Sequence, residues 1–441
     1  MAVGIPGRGK RHGQAQGPLA GQGLRLEYSG KKPIETILLT PAGRYVPSGN
    51  HRDGENRLYL ADNLGVLAAL MHDETVARQV RLVYIDPPFA TASAFESRKQ
   101  NHAYNDHLVG AAFVEALRER LVLIHQLLAD DGSLYLHLDE RMAFYFRIIL
   151  DEIFGEQNYR NCITRKKCNP KNYTRKAFGN IADYILFYTK SNSYVWNRPM
   201  EPWNEVRAMK EYQYIDKRGR RCKKVPVHAP GVRNGETGKP WHGMMPPPGK
   251  HWQYLPTTLD EIDARGDIYW SSTGNPRRII YLKDSAGVPL QNIWMDMRDA
   301  HNQNIHITGY PTEKNPALLS RIIEASSNPG DLVLDCYAGS GTTLAVASSL
   351  GRRWIGVDRS NEAIKTILRR FNQGTERMGD FVNGGPQHSL LPLIKITDFT
   401  LLRKNKVTIE YRERGARGRG CRPPGRIKKT RRRIGRGRRA S

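Results

Sequence analysis

The 441-residue sequence is short of cysteine, of acidic side chains and of long apolar runs. Its five cysteines (Cys162, Cys168, Cys222, Cys336, Cys421) are odd in number and widely spread, with no Cys-x-x-Cys pair. That pattern supports neither a disulfide framework nor a zinc site, so no metal centre is expected and a reducing cytoplasm fits. No stretch of 18 consecutive apolar residues exists, which excludes a membrane-spanning helix and a membrane partner. The opening "MAVGIPGRGKRHGQAQG" is charged but lacks the apolar core of a secretory signal. Acids are outnumbered, 43 Asp and Glu against 69 Lys and Arg, for a net charge of +26. Half of that surplus lies in residues 412–441, which hold 14 Lys and Arg and one Glu. The rest of the chain is basic too, and a basic body points to a polyanion, above all nucleic acid.

What is present is a repeated alternation of apolar strands and amphipathic helices. "RLYLADN", "RLVYID" and "SLYLHLD" read as strands, and "RLVYID" has the continuous apolar run of a strand buried on both faces. "LGVLAALMHD" and "AAFVEALRERLVLIHQLLADDG" read as helices, the second stopped by Gly132. "ERMAFYFRIILDEIFG" places Met142, Phe146, Ile149, Leu150 and Ile153 on one helical face, with Gly155 as its C-cap. "YRNCITRKK" and "DYILFYTK" are two further strands. Residues 191–304 change character: they are rich in Trp, Tyr, Pro, Gly, Lys and Arg and carry no sustained period. Order resumes with "NPALLSRIIEASS", "DLVLDCYAGSGTT", "RRWIGVDRS" and "NEAIKTILRRF". Strands and helices alternating on both sides of an insertion predict an open, mostly parallel α/β sheet with helices on both faces. The expected boundaries are a disordered basic N-terminus (1–24), a first half-domain (25–190), an irregular inserted module (191–304), a second half-domain (305–373), an extension (374–411) and a disordered Arg/Gly-rich tail (412–441).

"LVLDCYAGSGTT" is a strand, a turn of small residues and a helix start. Gly339 and Gly341, with Ser340 between them, let the backbone approach a ligand where a Cβ would clash. The helix start at Thr342 offers free N–H groups. Asp358 ends the next strand, where an acid can accept hydrogen bonds from ribose hydroxyls. The turn is neither G-x-G-x-x-G nor G-x-x-x-x-G-K, and no lysine in it meets phosphates. A nucleoside cofactor without phosphates fits better, and S-adenosylmethionine is such a ligand. Taken alone, Gly-x-Gly is equally a tight turn.

"RLVYIDPPFATAS" carries Asp86 to the same carboxyl edge of the sheet. Pro87 and Pro88 fix φ and stiffen the exit. A carboxylate and a carbonyl held close together form a receptor for an NH2 group, and Phe89 supplies a flat face for a planar ring. The set is a clamp for an aromatic amine such as adenine, whose nitrogen lone pair is delocalised and needs fixed acceptors to become a nucleophile. The plainer reading is a strand-ending turn capped by an Asp.

With both motifs in hand the sequence resembles the amino-group DNA methyltransferases, in the permuted order where the catalytic motif precedes the cofactor motif. The resemblance runs over residues 57–372 and includes "DPPF", "DGSLYLHLDE", "TEKNPALLSRIIEASSNPGD", "DCYAGSGTT" and "GRRWIGVDRS". It implies a Rossmann-like methyltransferase of the restriction-modification kind, methylating adenine N6, cytosine N4 being the alternative. An acid in the first clamp position accompanies adenine more often than cytosine in this family. An RNA methyltransferase or a catalytically dead DNA-binding homologue are more distant readings. By the resemblance, Asp86 and the Pro87 carbonyl bind the target amine and Phe89 stacks on the flipped base. Tyr337, Gly339, Ser340, Gly341 and Thr342 line the methionine part of S-adenosylmethionine, with Asp335 beside it. Asp358 holds the ribose, Asp62 sits near the adenine, and Lys314 lies near the cofactor carboxylate. Two departures are visible: Cys336-Tyr337 replaces a Pro-Phe, and Asn315 splits a Lys-Pro pair. Implied partners are double-stranded DNA, with residues 191–304 as the target-recognition module, a cognate restriction endonuclease and a second copy in a homodimer. The implied location is the cytoplasm, at the nucleoid, and the basic tail adds salt-sensitive affinity.

Overall fold

The alternation of the strand Val80–Ile85 sets out the architecture. Successive side chains point to opposite faces of a strand. Leu82 and Tyr84 join one apolar core, Val83 and Ile85 the other, and all four are buried. A strand with two apolar faces needs helices on both sides. The chain supplies them. This is a computed structural model; it describes residues 23–49, 54–88, 94–96, 102–105, 110–170, 176–299, 306–308, 310, 313–374, 376–377 and 395–405. Phe89 and the segment 412–441 lie outside the described residues.

Ten strands form the main sheet: β1 (Tyr45–Pro47), β2 (Asn56–Leu60), β3 (Val80–Ile85), β4 (Leu128–Leu138), β5 (Tyr159–Lys166), β6 (Ala182–Thr189), β7 (Ile293–Trp294), β8 (Leu332–Asp335), β9 (Arg353–Asp358) and β10 (Phe399–Lys404). Their order across the sheet is β1-β10-β2-β9-β8-β3-β4-β6-β5-β7. From β10 to β4 every neighbouring pair is parallel. β6 pairs antiparallel with β4 and with β5, and β1 antiparallel with β10, while β7 lies parallel to β5. The expected open α/β sheet is therefore present, with its antiparallel strands towards the margins.

Helices α1 (Asn63–Leu70), α2 (Gly110–Leu127) and α3 (Glu140–Phe154) cover one face, where Val66, Leu121, Ile124, Phe146 and Ile149 pack on Val83, Ile85, Leu136 and Leu334. Helices α4 (Pro316–Ser326), α5 (Thr342–Ser349) and α6 (Asn361–Gln373) cover the other, where Leu319, Ile322, Leu344, Ile364 and Ile367 pack on Leu58, Leu82, Val333 and Trp354. Among the described residues no helix is long and apolar enough to cross a membrane.

Two local readings change. The helix expected to run to Gly132 ends at Leu127, and β4 starts at Leu128, opposite Val80. The register then shifts before Leu82, and a Cβ on Gly132 would lie 2.8 Å from the Val80 carbonyl oxygen. Gly132 therefore serves a close approach of two strands rather than a helix stop. The insertion between β6 and β7 is also more regular than its sequence suggests. It contains a four-stranded sheet in the order Tyr214–Ile215, Arg221–Pro226, Pro276–Tyr281, Ile268–Trp270, with antiparallel pairs. Its core is Val227, Trp241, Trp252, Leu259, Ile262 and Ile268. Two indoles supply much of that core, and each finds an acceptor: Trp241 Nε1 donates to Asp260 at 2.7 Å, Trp252 Nε1 to the Lys239 carbonyl at 3.0 Å. A core built on indoles and strands of two to six residues leaves no period for a sequence to display.

Candidate active site

The carboxyl edge of β3, β8 and β9 collects the residues of interest. Val83 is opposite Leu334 and Leu334 opposite Ile355, so Asp86, Asp335 and Asp358 leave three adjacent strands on the same side. The turn after β8 is tightly tied. Tyr337 N–H donates to Asp335 Oδ1 at 3.0 Å, Gly339 N–H to Asp358 Oδ2 at 2.9 Å and Ser360 N–H to Asp358 Oδ1 at 2.8 Å. Gly341 has φ +74, and a Cβ there would lie 2.8 Å from the Ile367 side chain. Gly339 has φ +50, and a Cβ there would touch the Tyr310 ring at 3.5 Å. Both positions thus exclude a side chain, one by conformation and crowding, the other chiefly by conformation.

The two acids at this turn are held in a protein interior. Burial pushes the Asp335 carboxyl up to about 7, against hydrogen bonds from the Thr343 side chain and Tyr337 N–H, with the charges of Asp86 and Asp358 adding to the rise. Burial pushes Asp358 up to about 6, against the hydrogen bonds from Ser360 and Gly339. Two carboxyls raised by desolvation beside a glycine turn form a site where a cationic group would be favourable.

Asp86 sits on the face that Tyr84 shares, beyond the end of β3. Lys314 Nζ lies 2.5 Å from Asp86 Oδ2, with 9% of the lysine side chain and 19% of the aspartate side chain exposed. The other oxygen, Asp86 Oδ1, is buried and has no hydrogen-bond partner among the described residues. Pro87 is buried and Pro88 half-buried. Next to Lys314, Glu313 pairs with the buried guanidinium of Arg370 on α6, and accepts from Thr308 N–H at 2.8 Å and Thr308 Oγ1 at 2.7 Å. Arg370 also donates to Ser340 Oγ in the glycine turn, at 3.4 Å. The dipeptide Glu313-Lys314 thus touches both the glycine turn's support and the Asp86 carboxylate.

Behind Asp86 lies a buried polar chain across β3, β4, β6 and β5. Tyr84 Oη is 2.8 Å from His137 Nδ1, and His137 Nε2 is 3.4 Å from Asp183 Oδ2. Burial lowers the His137 pKa, which favours a neutral ring between the tyrosine hydroxyl at Nδ1 and, at Nε2, the Asp183 carboxylate and Arg165 Nη1 at 3.5 Å. Lys167 Nζ donates to Asp183 at 2.9 Å, and Arg165 donates to the Met297 carbonyl at 2.6 Å and to Asp299. The chain therefore runs from beneath Asp86 to the end of the insertion. Among the described residues no group of three or more His, Cys, Asp or Glu could hold a metal ion.

The N6/N4 DNA methylase family model matches residues 80–369. The type II methyltransferase M.EcaI of Enterobacter cloacae is 47% identical over 372 residues, 83% of this chain and 81% of its own. The chain belongs to the DNA methylase family. A second relative of the methylase is the StyLTI Mod subunit of Salmonella typhimurium, a type III restriction-modification enzyme. It is 24% identical over 75% of this chain, which spans 55% of that longer protein. Among solved structures, the M1.HpyAVI–SAM complex is 17% identical, covering 72% of this chain and 98% of that one, with a TM-score of 0.41.

Of the residues singled out from sequence, Asp86, Asp335, Tyr337, Gly339, Ser340, Gly341, Thr342 and Asp358 meet at this edge of the methylase sheet. Asp62 caps α1, its carboxylate accepting from Leu64 N–H at 3.0 Å, and faces Arg120 at 3.4 Å. Lys314, expected near a cofactor carboxylate, makes its ion pair with Asp86. The two departures have local reasons. Asn315 is the N-cap of α4, accepting from Ala317 N–H at 3.0 Å, ahead of Pro316 in the first turn. Cys336 is buried and its carbonyl accepts from Asn63 Nδ2 at 2.8 Å. Glu313, Arg370, Tyr310, Tyr84 and His137 were not singled out. Arg370 lies on the buried side of an amphipathic helix and His137 within an apolar strand, patterns that hide a polar partner. Of these, only Glu313, through the adjacent opposite charge of Lys314, has a local mark in the sequence.

Proposed function

We propose that this methylase transfers a methyl group from S-adenosylmethionine to the exocyclic N6 amine of an adenine flipped out of duplex DNA. The observation that carries the reading is the pairing of a buried acceptor, Asp86 Oδ1, which has no hydrogen-bond partner among the described residues, with a glycine turn after the neighbouring strand. The residues suit the cofactor: the turn excludes Cβ atoms, and Asp335 and Asp358 are buried acids that favour a cationic ligand. Bound there, S-adenosylmethionine supplies an electrophilic methyl group. Tyr337 and the turn from Gly339 to Thr342 would line its methionine part, Asp358 its ribose and Asp62 the region of its adenine.

Asp86 Oδ1 and the Pro87 carbonyl accept the two N–H groups of the target amine. Fixed acceptors localise the nitrogen lone pair and stabilise positive charge as the N–C bond forms. Asp86 Oδ1 is then placed to take the proton that the alkylated nitrogen must lose. The reaction relies on alignment, which the stiff Pro87-Pro88 exit and the tied turn provide. A base within a duplex cannot reach Asp86, so flipping is required, at roughly a few kcal/mol of stacking and pairing. Residues 191–304 are proposed to read the DNA, with Phe89 stacking on the flipped ring.

Transfer of tritiated methyl to duplex DNA, followed by nucleoside analysis, tests this reading. N6-methyldeoxyadenosine is expected. N4-methyldeoxycytidine would overturn the base assignment, and absence of label in DNA would overturn the reaction.

A further inference from the structure

The amine clamp needs one oxygen of Asp86 for the target. The carboxylate has two, and its terminal torsion is broad and two-fold, so a free carboxylate would present either oxygen over a range of angles. Lys314 removes that freedom. Its ammonium takes Oδ2 at 2.5 Å, and Oδ1 remains buried without a hydrogen-bond partner among the described residues. The lysine is itself fixed from both sides. Glu313, before it, is anchored by Arg370 and Thr308. Asn315, after it, caps α4 and donates to the Arg298 carbonyl at 3.4 Å. A charge-assisted contact rooted in two anchored neighbours is a rigid support.

We propose that Lys314 is a positioning residue for Asp86, holding Oδ2 so that Oδ1 alone is presented to the target amine. This rests on the amine-methylation reading above. It differs from a role at the cofactor carboxylate, and the two separate in what a substitution changes. A lysine that orients Asp86 acts on turnover. A lysine that binds the cofactor acts on cofactor affinity. Because its charge adds nothing favourable to the positive charge growing on the amine, its contribution is geometric, and another cation of similar reach should replace it.

The test uses the full chain with Lys314→Met, Lys314→Gln and Lys314→Arg. Tritiated methyl transfer gives kcat and the KM for duplex DNA; calorimetry gives the Kd for S-adenosylmethionine without turnover; thermal melts check folding. Lys314→Met and Lys314→Gln should lower kcat by about 10- to 100-fold, the scale of a small misplacement of a reacting group, with KM and cofactor Kd nearly unchanged. Lys314→Arg should recover most of kcat. A weakened cofactor Kd with kcat intact at saturating cofactor would overturn the proposal, as would Met and Gln variants that turn over like wild type. A wild-type chain that methylates no DNA would instead overturn the reading beneath it.

Discussion

The sheet edge and the insertion handle charge in opposite ways. At the edge, polar groups are largely buried and held by fixed contacts: Glu313 with Arg370, Lys314 with one oxygen of Asp86, and Asp358 with two backbone N–H groups. In the insertion, cations lie over aromatic rings in partial contact with water. Lys224 Nζ is 3.4 Å from the Tyr269 ring centroid and 4.2 Å from that of Tyr214. A buried ion must be matched or it destabilises the fold, so its position is set closely. An exposed cation stacked on a ring contributes little and remains free to adjust. The first arrangement suits bond-making, the second a surface that meets a charged partner.

If that contrast is right, edge substitutions should be severe. Asp86→Ala removes the preorganised acceptor, and methyl transfer should fall by about 100- to 1000-fold or more, while calorimetry still detects cofactor binding. Retained turnover would sink the clamp. Glu313→Ala should leave the Arg370 guanidinium buried without its carboxylate and destabilise the fold by about 3–5 kcal/mol. A denaturant midpoint equal to wild type would mean that Arg370 finds another partner.

Asp335 gives the edge a pH signature. Its folded-state carboxyl is raised from 3.8 to about 7. The protonated folded form is therefore favoured, a contribution fully present below the unfolded pKa near 4 and lost as pH rises through 7. Asp335→Asn cannot ionise. In the ligand-free chain it should be more stable than wild type at pH 8, by an amount on the order of a few kcal/mol in denaturant unfolding, and the gap should narrow at pH 5.5. A gap that is the same at both pH values would show that Asp335 ionises without penalty.

How far the sequence carried differs between the two regions for the same physical reason. The parallel sheet was legible because β3, β8 and β9 are continuous apolar runs, and a strand buried on both faces can look like little else. Asp86, the glycine turn and Asp358 were legible because each sits at a strand end, where the pattern breaks. The partnerships were not. Arg370 falls on the buried side of an amphipathic helix, and nothing local says that its partner is Glu313, 57 residues away. His137 occupies an inward position between Leu136 and Leu138 and meets Tyr84 from another strand. The insertion was illegible because indoles and very short strands replace periodicity.

The smallest expected effect lies on the insertion and is the most informative about it. Lys224 pairs in register with Ile279, on the same face of the small sheet as Tyr214, Tyr269 and Arg277. Lys224 is half-buried against two exposed rings, so Lys224→Ala loses cation–π contacts worth about 0.5–1 kcal/mol and the melting curve should barely move. If this face meets DNA phosphate, affinity should drop by a similar factor for all sequences, and the slope of log affinity against log salt should fall by about one. Anisotropy titrations over a salt series read both quantities. An unchanged slope would mean that this face does not meet DNA phosphate. A drop confined to one DNA sequence would make Lys224 a base-reading residue, and the adjustable cations of this region would then be as closely set as those of the edge.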